Sequence, residues 1–298
     1  MAPSNHLYRV ESVKFVAAIL VVVIHTSWFM VASEQRSFWT YDSYRGIADI
    51  AVPVFFVFSG YFLSRKDVHG ILVWSAKLFA LYLASTLIFL LYNLGRIGAD
   101  RLFLDRGFYE ALRDEVGRWT MSAFLRGDLG AVHLWYLIAS AIAGCLIAAM
   151  RSRGASAMTM LVIAGSAWGV SLSGLINLKP IVVYGGFPKA LAFIVIGVWL
   201  AERTVKPTWW QPVLAAAALS GYTVLRYLEA GSARELLLVV ASAALVAFAV
   251  SPTARRTNLS RLGKYSLSIY ILHMLINSMS TRVLTYFGGS SPMRWGVS

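Results

Sequence analysis

Residues 13–31 read VKFVAAILVVVIHTSWFMV, an apolar run with His25 inside it. About 20 predominantly apolar residues are enough to cross a bilayer as a helix. An ionisable side chain at membrane depth is costly, and it is retained mostly where it faces a protein interior or a wet cavity. We therefore predict that this run is a membrane span and that His25 belongs to a functional site.

The composition extends this prediction to the whole chain. Of its 298 residues, 58% are hydrophobic and 14% are charged, whereas soluble domains are about 45–50% apolar and about 25% charged. Because the apolar runs are long and continuous, helices are favoured over a β-barrel. We predict an all-α polytopic transmembrane bundle of about nine to ten spans, forming a single domain over residues 1–298. Nine spans are placed at 13–31, 47–63, 71–94, 133–150, 158–176, 181–201, 210–228, 236–250 and 265–287.

The net charge of +13 would favour a nucleic-acid partner in a soluble protein. Here the basic residues cluster beside alternate spans, as expected for cytoplasmic loops. We therefore predict a multi-pass protein of the inner (plasma) membrane, with the lipid bilayer as a partner, no nucleic acid and a cytoplasmic N-terminus. The segment 95–131 has mixed charges, and the apolar spacing at 108–124 predicts an amphipathic interfacial helix on the outer side.

Lys14 and His25 lie eleven positions apart, which places them on one face of a helix about 16 Å from each other. A cation near the inner surface and a deeper imidazole suit a phosphate-bearing donor that enters from the cytoplasm, with His25 transferring a proton. Lys14 is equally consistent with snorkelling to lipid headgroups. For His25, the cost of burial favours function.

Several other polar residues within or beside the spans are candidates with two interpretations each. Asp49 either orients His25 or complements a helix dipole, and the second is favoured. Lys77 either snorkels or adds a cation beside Lys14. His133 and Trp135 either line an acceptor cleft or belong to an interfacial belt. The pair Ser59-Gly60 permits close helix approach.

Two more features point to a site rather than to packing. Lys189 is predicted near the middle of the sixth span beside Gly185, Gly186 and Pro188, so that a broken helix carries a buried cation. Tyr270 and His273 form a polar stripe in the ninth span. The sequence contains no Gly-rich phosphate loop and no metal-type His/Cys spacing, which argues against a nucleotide-driven pump and predicts no metal.

Four pieces of sequence, in this order, resemble the acyltransferase 3 family of integral membrane acyltransferases. They are Lys14 with His25, then VPVFFVFSGYFL at 52–63, HLWYL at 133–137 and YSLSIYILH at 265–273. The sequences of these motifs are most similar to those of the branch that O-acetylates bacterial surface polysaccharide or its lipid-linked precursors. The resemblance implies an acyl donor, usually acetyl-CoA, a carbohydrate acceptor and one further span.

By this resemblance His25 is the essential imidazole, and Lys14 replaces the family's usual Arg. Lys77 corresponds to the last basic residue of a paired basic motif, whose first position here is Trp74. Lysine cannot form the two parallel hydrogen bonds that arginine forms with a phosphate, so binding of the donor phosphates is expected to differ.

The predicted function is therefore a membrane O-acetyltransferase. His25 would be catalytic, either deprotonating the acceptor hydroxyl or relaying the acyl group. Lys14 and Lys77 would bind the acetyl-CoA phosphates, and the acceptor would contact Asp49, His133, Trp135, Lys189, Tyr270 and His273. Two alternatives stay open. One is a transporter or flippase of a small anionic or lipid-linked substrate, for which Lys189 would be the binding cation, and the other is a non-catalytic membrane module.

Overall fold

Helices make up all the regular structure in the residues that the computed structural model describes, which are 8–26, 43–104, 107–178, 181–203, 208–229, 231–250 and 257–287. The all-α prediction is therefore confirmed for this part of the chain. The helices are α1 (Tyr8–Thr26), α2 (Ser43–Ala48), α3 (Ala51–Leu63), α4 (Val68–Leu104), α5 (Phe108–Gly117), α6 (Met121–Arg126), α7 (Trp135–Ser152), α8 (Ala157–Ser173), α9 (Gly186–Glu202), α10 (Trp210–Tyr227), α11 (Ala233–Ala249), α12 (Asn258–Leu262) and α13 (Ser266–Phe287). Short 3₁₀ turns at Val132–Leu134 and Gly263–Tyr265 precede α7 and α13.

A long helix lies at each of the nine predicted spans, although the end of the first prediction, 27–31, lies outside the described residues. Three described stretches are long and apolar enough to cross a membrane: Tyr44–Leu63, Val68–Leu102 and Val132–Ser152. The apolar helix Ala157–Ser173 is shorter. The membrane character is thus supported, and the count of nine to ten spans stays a prediction.

Helix α9 forms the centre of the bundle. Its sequence is apolar almost all round, and most of its side chains are buried against α3, α7 and α8. Gly60 of α3 and Gly197 of α9 let two backbones touch, because a Cβ on Gly197 would lie 2.0 Å from the carbonyl oxygen of Val57. The Ser59-Gly60 pair is therefore a point of close helix approach, as predicted.

Helix α4 faces outward with much of its apolar surface, and it is longer than predicted. It continues to Leu104 rather than ending at 94. At 1.5 Å per residue it spans about 55 Å, more than a hydrocarbon core of about 30 Å. The extension is stabilised by an ion pair one turn apart, Arg96 to Asp100 at 3.6 Å, and by Arg282 of α13, 2.9 Å from Asp100.

The interfacial helix predicted over 108–124 is wrong as a single element. The chain forms α5 and α6 instead, with a break at residues 118–120. Thr120 ends the continuity because its backbone is extended and its side-chain oxygen accepts a hydrogen bond from the N–H of Ala123, capping a new helix. The amphipathic spacing alone did not distinguish one helix from two.

The sixth predicted span also begins later than expected. Tyr184 and Gly185 have φ values of +52° and +89°, which interrupt a right-handed helix, so α9 starts at Gly186. Lys189 therefore lies in the first turn of α9, near its end rather than at its middle. This corrects the prediction of a mid-span cation.

Candidate active site

Three histidines from three separate elements meet inside the bundle. His25 comes from α1, His133 from the 3₁₀ turn before α7, and His273 from α13. Their ring centroids are 5.1 Å apart for His25 and His273, 5.0 Å for His133 and His273, and 6.3 Å for His25 and His133. His133 and His273 are almost fully buried. We call this group the histidine cluster.

Backbone carbonyls orient two of the three rings. His133 Nε2 lies 3.1 Å from the carbonyl oxygen of Ile271, and His273 Nδ1 lies 2.7 Å from that of Tyr270. Since a carbonyl oxygen accepts only, each of these nitrogens carries the proton in the neutral ring. The second nitrogens, His133 Nδ1 and His273 Nε2, are buried without a hydrogen-bond partner among the described residues. Each therefore offers a lone pair inside the cluster.

A cavity of about 420 Å³ opens beside this cluster. We call it the histidine cavity, because His25 and His133 line it, and Trp135 and Tyr270 complete that part of its wall. The other wall is charged, and its residues come from α2, the turn between α2 and α3, α9, α10 and α11. Its charged lining residues are Arg45, Asp49, Lys189, Arg226, Arg234 and Glu235.

The two carboxylates of this wall are each shared between cations. Asp49 lies 2.7 Å from Arg226 and 3.3 Å from Arg45, and it accepts a hydrogen bond from the Tyr222 hydroxyl at 2.9 Å. Glu235 lies 3.0 Å from Lys189 and 4.0 Å from Arg234. Asp49 is thus an ion-pair partner in the cavity wall rather than only a helix-end residue.

A second cavity, of about 280 Å³, lies on the other side of Tyr270. Lys14, Lys66 and Lys264 line it together with aromatic side chains such as Phe58 and Trp74, and we call it the lysine cavity. Lys14 also pairs with Glu11 at 3.0 Å. Gly263 allows its turn to approach α1 closely, because a Cβ there would lie 2.3 Å from the carbonyl oxygen of Glu11. This approach brings Lys264 to the same cavity as Lys14.

Tyr270 lines both cavities. Its ring packs against Tyr136 with centroids 5.3 Å apart and against His133 at 5.7 Å. Its hydroxyl donates a hydrogen bond to the carbonyl oxygen of His133. One buried side chain therefore separates a basic, aromatic-lined chamber from a chamber that carries the histidines.

Most of the predicted site residues come together, and one does not. His25, Asp49, His133, Trp135, Lys189 and Tyr270 line the histidine cavity, and His273 lies beside it. Lys14 lines the lysine cavity. Lys77 is exposed on α4 and is outside the lining of both cavities in the described part of the chain, where Trp74 and Leu78 take the inward positions.

The sequence reasoning missed the charged wall. Arg45, Arg226, Arg234 and Glu235 all line the histidine cavity, yet none was singled out. A signal was present, because Arg226, Arg234 and Glu235 flank one short loop on the side opposite the basic loops. Within the described residues, no group of three or more His, Cys, Asp or Glu side chains is placed to hold a metal ion.

Comparison with known proteins gives one family and one partial relative. A family model described as an acyltransferase domain matches residues 7–298, nearly the whole chain. An amino-acid racemase from Enterococcus faecalis is 30% identical over 151 residues, which is 49% of this chain and 19% of that protein. The chain thus spans about a fifth of the length of this curated relative. No solved structure matches the chain.

Proposed function

The chain belongs to the acyltransferase 3 family, and on that premise we propose that it moves an acetyl or similar acyl group from acyl-CoA to a hydroxyl of a surface polysaccharide or lipid-linked sugar. The family makes it a membrane acyltransferase, as the sequence predicted. The observation that carries the finer proposal is the pair of cavities that meet at Tyr270, one basic and one lined by histidines.

The lysine cavity suits the donor. Three lysines are among its described lining residues, and of these Lys14 is paired with Glu11 at 3.0 Å. Lys66 and Lys264 add further positive charge to the lining, which attracts the phosphates of a CoA thioester. Behind the lysines, aromatic and aliphatic side chains suit the thin pantetheine arm and the acyl group. The arm would then place the thioester near Tyr136 and Tyr270, within reach of the histidine cluster.

The histidine cavity suits the acceptor. In the proposed step, His25 takes the proton of the acceptor hydroxyl, and the hydroxyl oxygen attacks the thioester carbonyl carbon. The carbon–sulfur bond breaks, an ester forms, and the CoA thiolate receives the proton from the imidazolium. His133 and His273 surround His25 with neutral rings whose tautomers are set by backbone carbonyls, and they would orient its ring and the hydroxyl.

The two cavities also suggest an orientation. Acyl-CoA is a cytoplasmic metabolite, so we propose that the lysine cavity faces the cytoplasm in the inner (plasma) membrane and that the histidine cavity faces outward. Lys66 and Lys264 belong to the loops that the charge bias places on the cytoplasmic side. The acyl group would then pass Tyr270 to reach the acceptor, rather than the acceptor entering the cytoplasm.

The transporter alternative loses part of its support. It depended on Lys189 as a buried cation in a broken helix, but Lys189 lies in the first turn of α9 and pairs with Glu235 at 3.0 Å. The racemase activity named for the curated relative is not carried over, because the match covers 19% of that protein.

The proposed function is tested by CoA release from purified protein in nanodiscs. Acetyl-CoA is supplied with a mixture of glycans and lipid-linked sugars, and wild type is compared with His25→Ala and His69→Ala. His69 is exposed on α4, away from both cavities, so it is the matched control. Loss of general-base catalysis predicts a fall of about 10²–10⁴-fold for His25→Ala only. Equal rates in all three proteins would remove His25 from the chemistry. Substrate uptake into proteoliposomes that contain the wild type, without CoA release, would favour the transporter.

A further inference from the structure

The charged wall of the histidine cavity has more positive than negative groups. Arg45, Arg226, Lys189 and Arg234 face it, against the carboxylates of Asp49 and Glu235. The ion pairs divide these six groups into two sets, and in each set one carboxylate is shared by two cations. In the set of Lys189, Arg234 and Glu235, one positive charge therefore remains that no described carboxylate of the wall neutralises.

This excess positive charge lies where burial of a charge costs free energy. The side chains of Lys189 and Glu235 are 15% and 14% exposed, that of Arg234 is 31% exposed, and the cavity lies among apolar helices. Uncompensated charge in such a setting costs free energy unless an opposite charge binds. A surplus of cations around a confined cavity also concentrates anions inside it.

Arg234 provides a specific donor. Among the described residues, its carboxylate contact is from Nε to the neighbouring Glu235 at 4.0 Å, and Nε is buried without a hydrogen-bond partner. A guanidinium group presents paired N–H donors that match the two oxygens of a carboxylate or phosphate. Arg234 is thus placed in the wall with donors available to a ligand in the cavity.

We propose that the acceptor is anionic: it carries a carboxylate or phosphate group, which Arg234 and its neighbouring cations bind while its hydroxyl faces His25. This inference rests on the proposed function, since it assigns a chemical class to the acceptor of the same reaction. It excludes a purely neutral sugar as the preferred acceptor. The lysine cavity binds the donor phosphates separately, so the two anionic substrates occupy opposite sides of Tyr270.

A matched acceptor series tests the proposal. The series consists of methyl glucoside, which is neutral, methyl glucuronide, which has a carboxylate, and glucose 1-phosphate, which has a phosphate. Acetyl-CoA turnover with each acceptor is measured in wild type, Arg234→Gln and Arg153→Gln, the last being an exposed arginine at the end of α7. One charged hydrogen bond corresponds to about a tenfold to a hundredfold preference. We expect that preference in kcat/KM for an anionic acceptor, lost in Arg234→Gln and kept in Arg153→Gln.

The two anionic acceptors separate the sources of the oxyanion. A preference for the glucuronide points to an acidic sugar, and a preference for the phosphate points to a phosphorylated or lipid-linked sugar. Equal kcat/KM for the neutral and anionic acceptors in wild type would overturn the proposal while leaving the acyltransferase intact.

Direct binding covers the case in which these small acceptors do not turn over. Thermal unfolding of wild type in nanodiscs is followed with each sugar alone, and stabilisation by an anionic sugar but not by the glucoside supports the proposal. Arg234→Lys keeps the positive charge but lacks the paired N–H donors of arginine. It is the second variant to test if Arg234→Gln does not fold. No stabilisation by either anionic sugar, together with no turnover, would overturn the anionic acceptor. Absence of CoA release with every acceptor, including the crude glycan mixture, would instead overturn the proposed function.

Discussion

The hydroxyl of Tyr270 donates a hydrogen bond to the backbone carbonyl of His133, so α13 holds in place the turn that carries one member of the histidine cluster. The same helix provides His273, whose Nδ1 contacts the carbonyl of Tyr270 itself. Tyr270 is therefore a positioning residue for two of the three imidazoles, in addition to separating the two cavities.

Replacing Tyr270 by Phe is expected to lower kcat more than it raises KM for acyl-CoA. The aromatic wall is kept, but the carbonyl of His133 loses its donor inside the protein, which costs about 1–3 kcal/mol. Initial rates over a range of acyl-CoA concentrations separate the two constants. Tyr109→Phe, on an exposed tyrosine of α5, is the control. Unchanged kcat in Tyr270→Phe would show that the hydrogen bond does not position the cluster.

Close contact between α3 and α9 predicts that Gly197→Ala is strongly destabilising. The added Cβ would lie 2.0 Å from the carbonyl oxygen of Val57, and backbone atoms cannot move aside as a side chain can. Overpacking of a close-packed interior costs typically about 1–3 kcal/mol and at times more. Thermal unfolding in detergent measures the effect.

The matched control for this change is Gly165→Ala in α8. A Cβ at Gly165 meets no atom within 4 Å, and alanine is favoured over glycine in a helix by about 1 kcal/mol. Gly165→Ala should therefore unfold at the same temperature as wild type or at a higher one. Equal loss of stability in both variants would mean that the α3–α9 contact is not as close as described.

The positions of the long helices could be predicted from the sequence because each is a continuous apolar run, and apolar length is what a bilayer selects. His25 could be predicted as a site residue for the same reason, since an imidazole stands out in such a run. The ends were less predictable. The start of α9 depends on positive φ values at Tyr184 and Gly185, and the extension of α4 depends on Arg96, Asp100 and Arg282 meeting in space.

The presence of a site could be predicted from the sequence, but most of the charged residues that line it could not. Arg226 and Glu235 are distant from Asp49 and Lys189 in the sequence, and only the packing of α10 beside α2 and of α11 beside α3 and α9 joins them. Loop charges of this kind also follow from membrane topology, so the pattern alone does not distinguish a cavity wall from a solvated loop. Lys77 shows the converse, since a basic position within a span faces outward from both cavities.

Donor binding predicts different results for Lys14 and Lys77. Lys14→Gln removes one of three cations lining the lysine cavity, so KM for acetyl-CoA should rise about tenfold, while KM for S-acetylpantetheine, which has no phosphate, should stay constant. This assumes that the lost contact is worth about 1.4 kcal/mol. Lys77→Gln should change neither constant, because Lys77 is exposed on α4.

Steady-state rates with the two donors provide this measurement, and Arg153→Gln controls for the loss of any surface charge at the same end of the bundle. An equal rise of KM in Lys77→Gln would restore the pairing of Lys14 with Lys77 that the family motif implied. An equal rise for both donors in Lys14→Gln would mean that Lys14 shapes the cavity rather than contacting phosphate.

The pair formed by Lys189 and Glu235 predicts a non-additive pattern of stability. Their charged atoms are 3.0 Å apart, and both side chains are mostly buried. Glu235→Leu leaves both Lys189 and Arg234 without their shared carboxylate, so it should destabilise the protein by up to about 3–5 kcal/mol. Lys189→Met should destabilise it less, because Glu235 keeps Arg234 at 4.0 Å. The double variant should unfold close to the wild-type temperature, since a buried pair replaced by apolar side chains of similar volume is often neutral or stabilising.

A double-mutant cycle from thermal unfolding in nanodiscs gives the coupling free energy between Lys189 and Glu235. Additive losses of stability would mean that Lys189 and Glu235 do not stabilise each other as an ion pair.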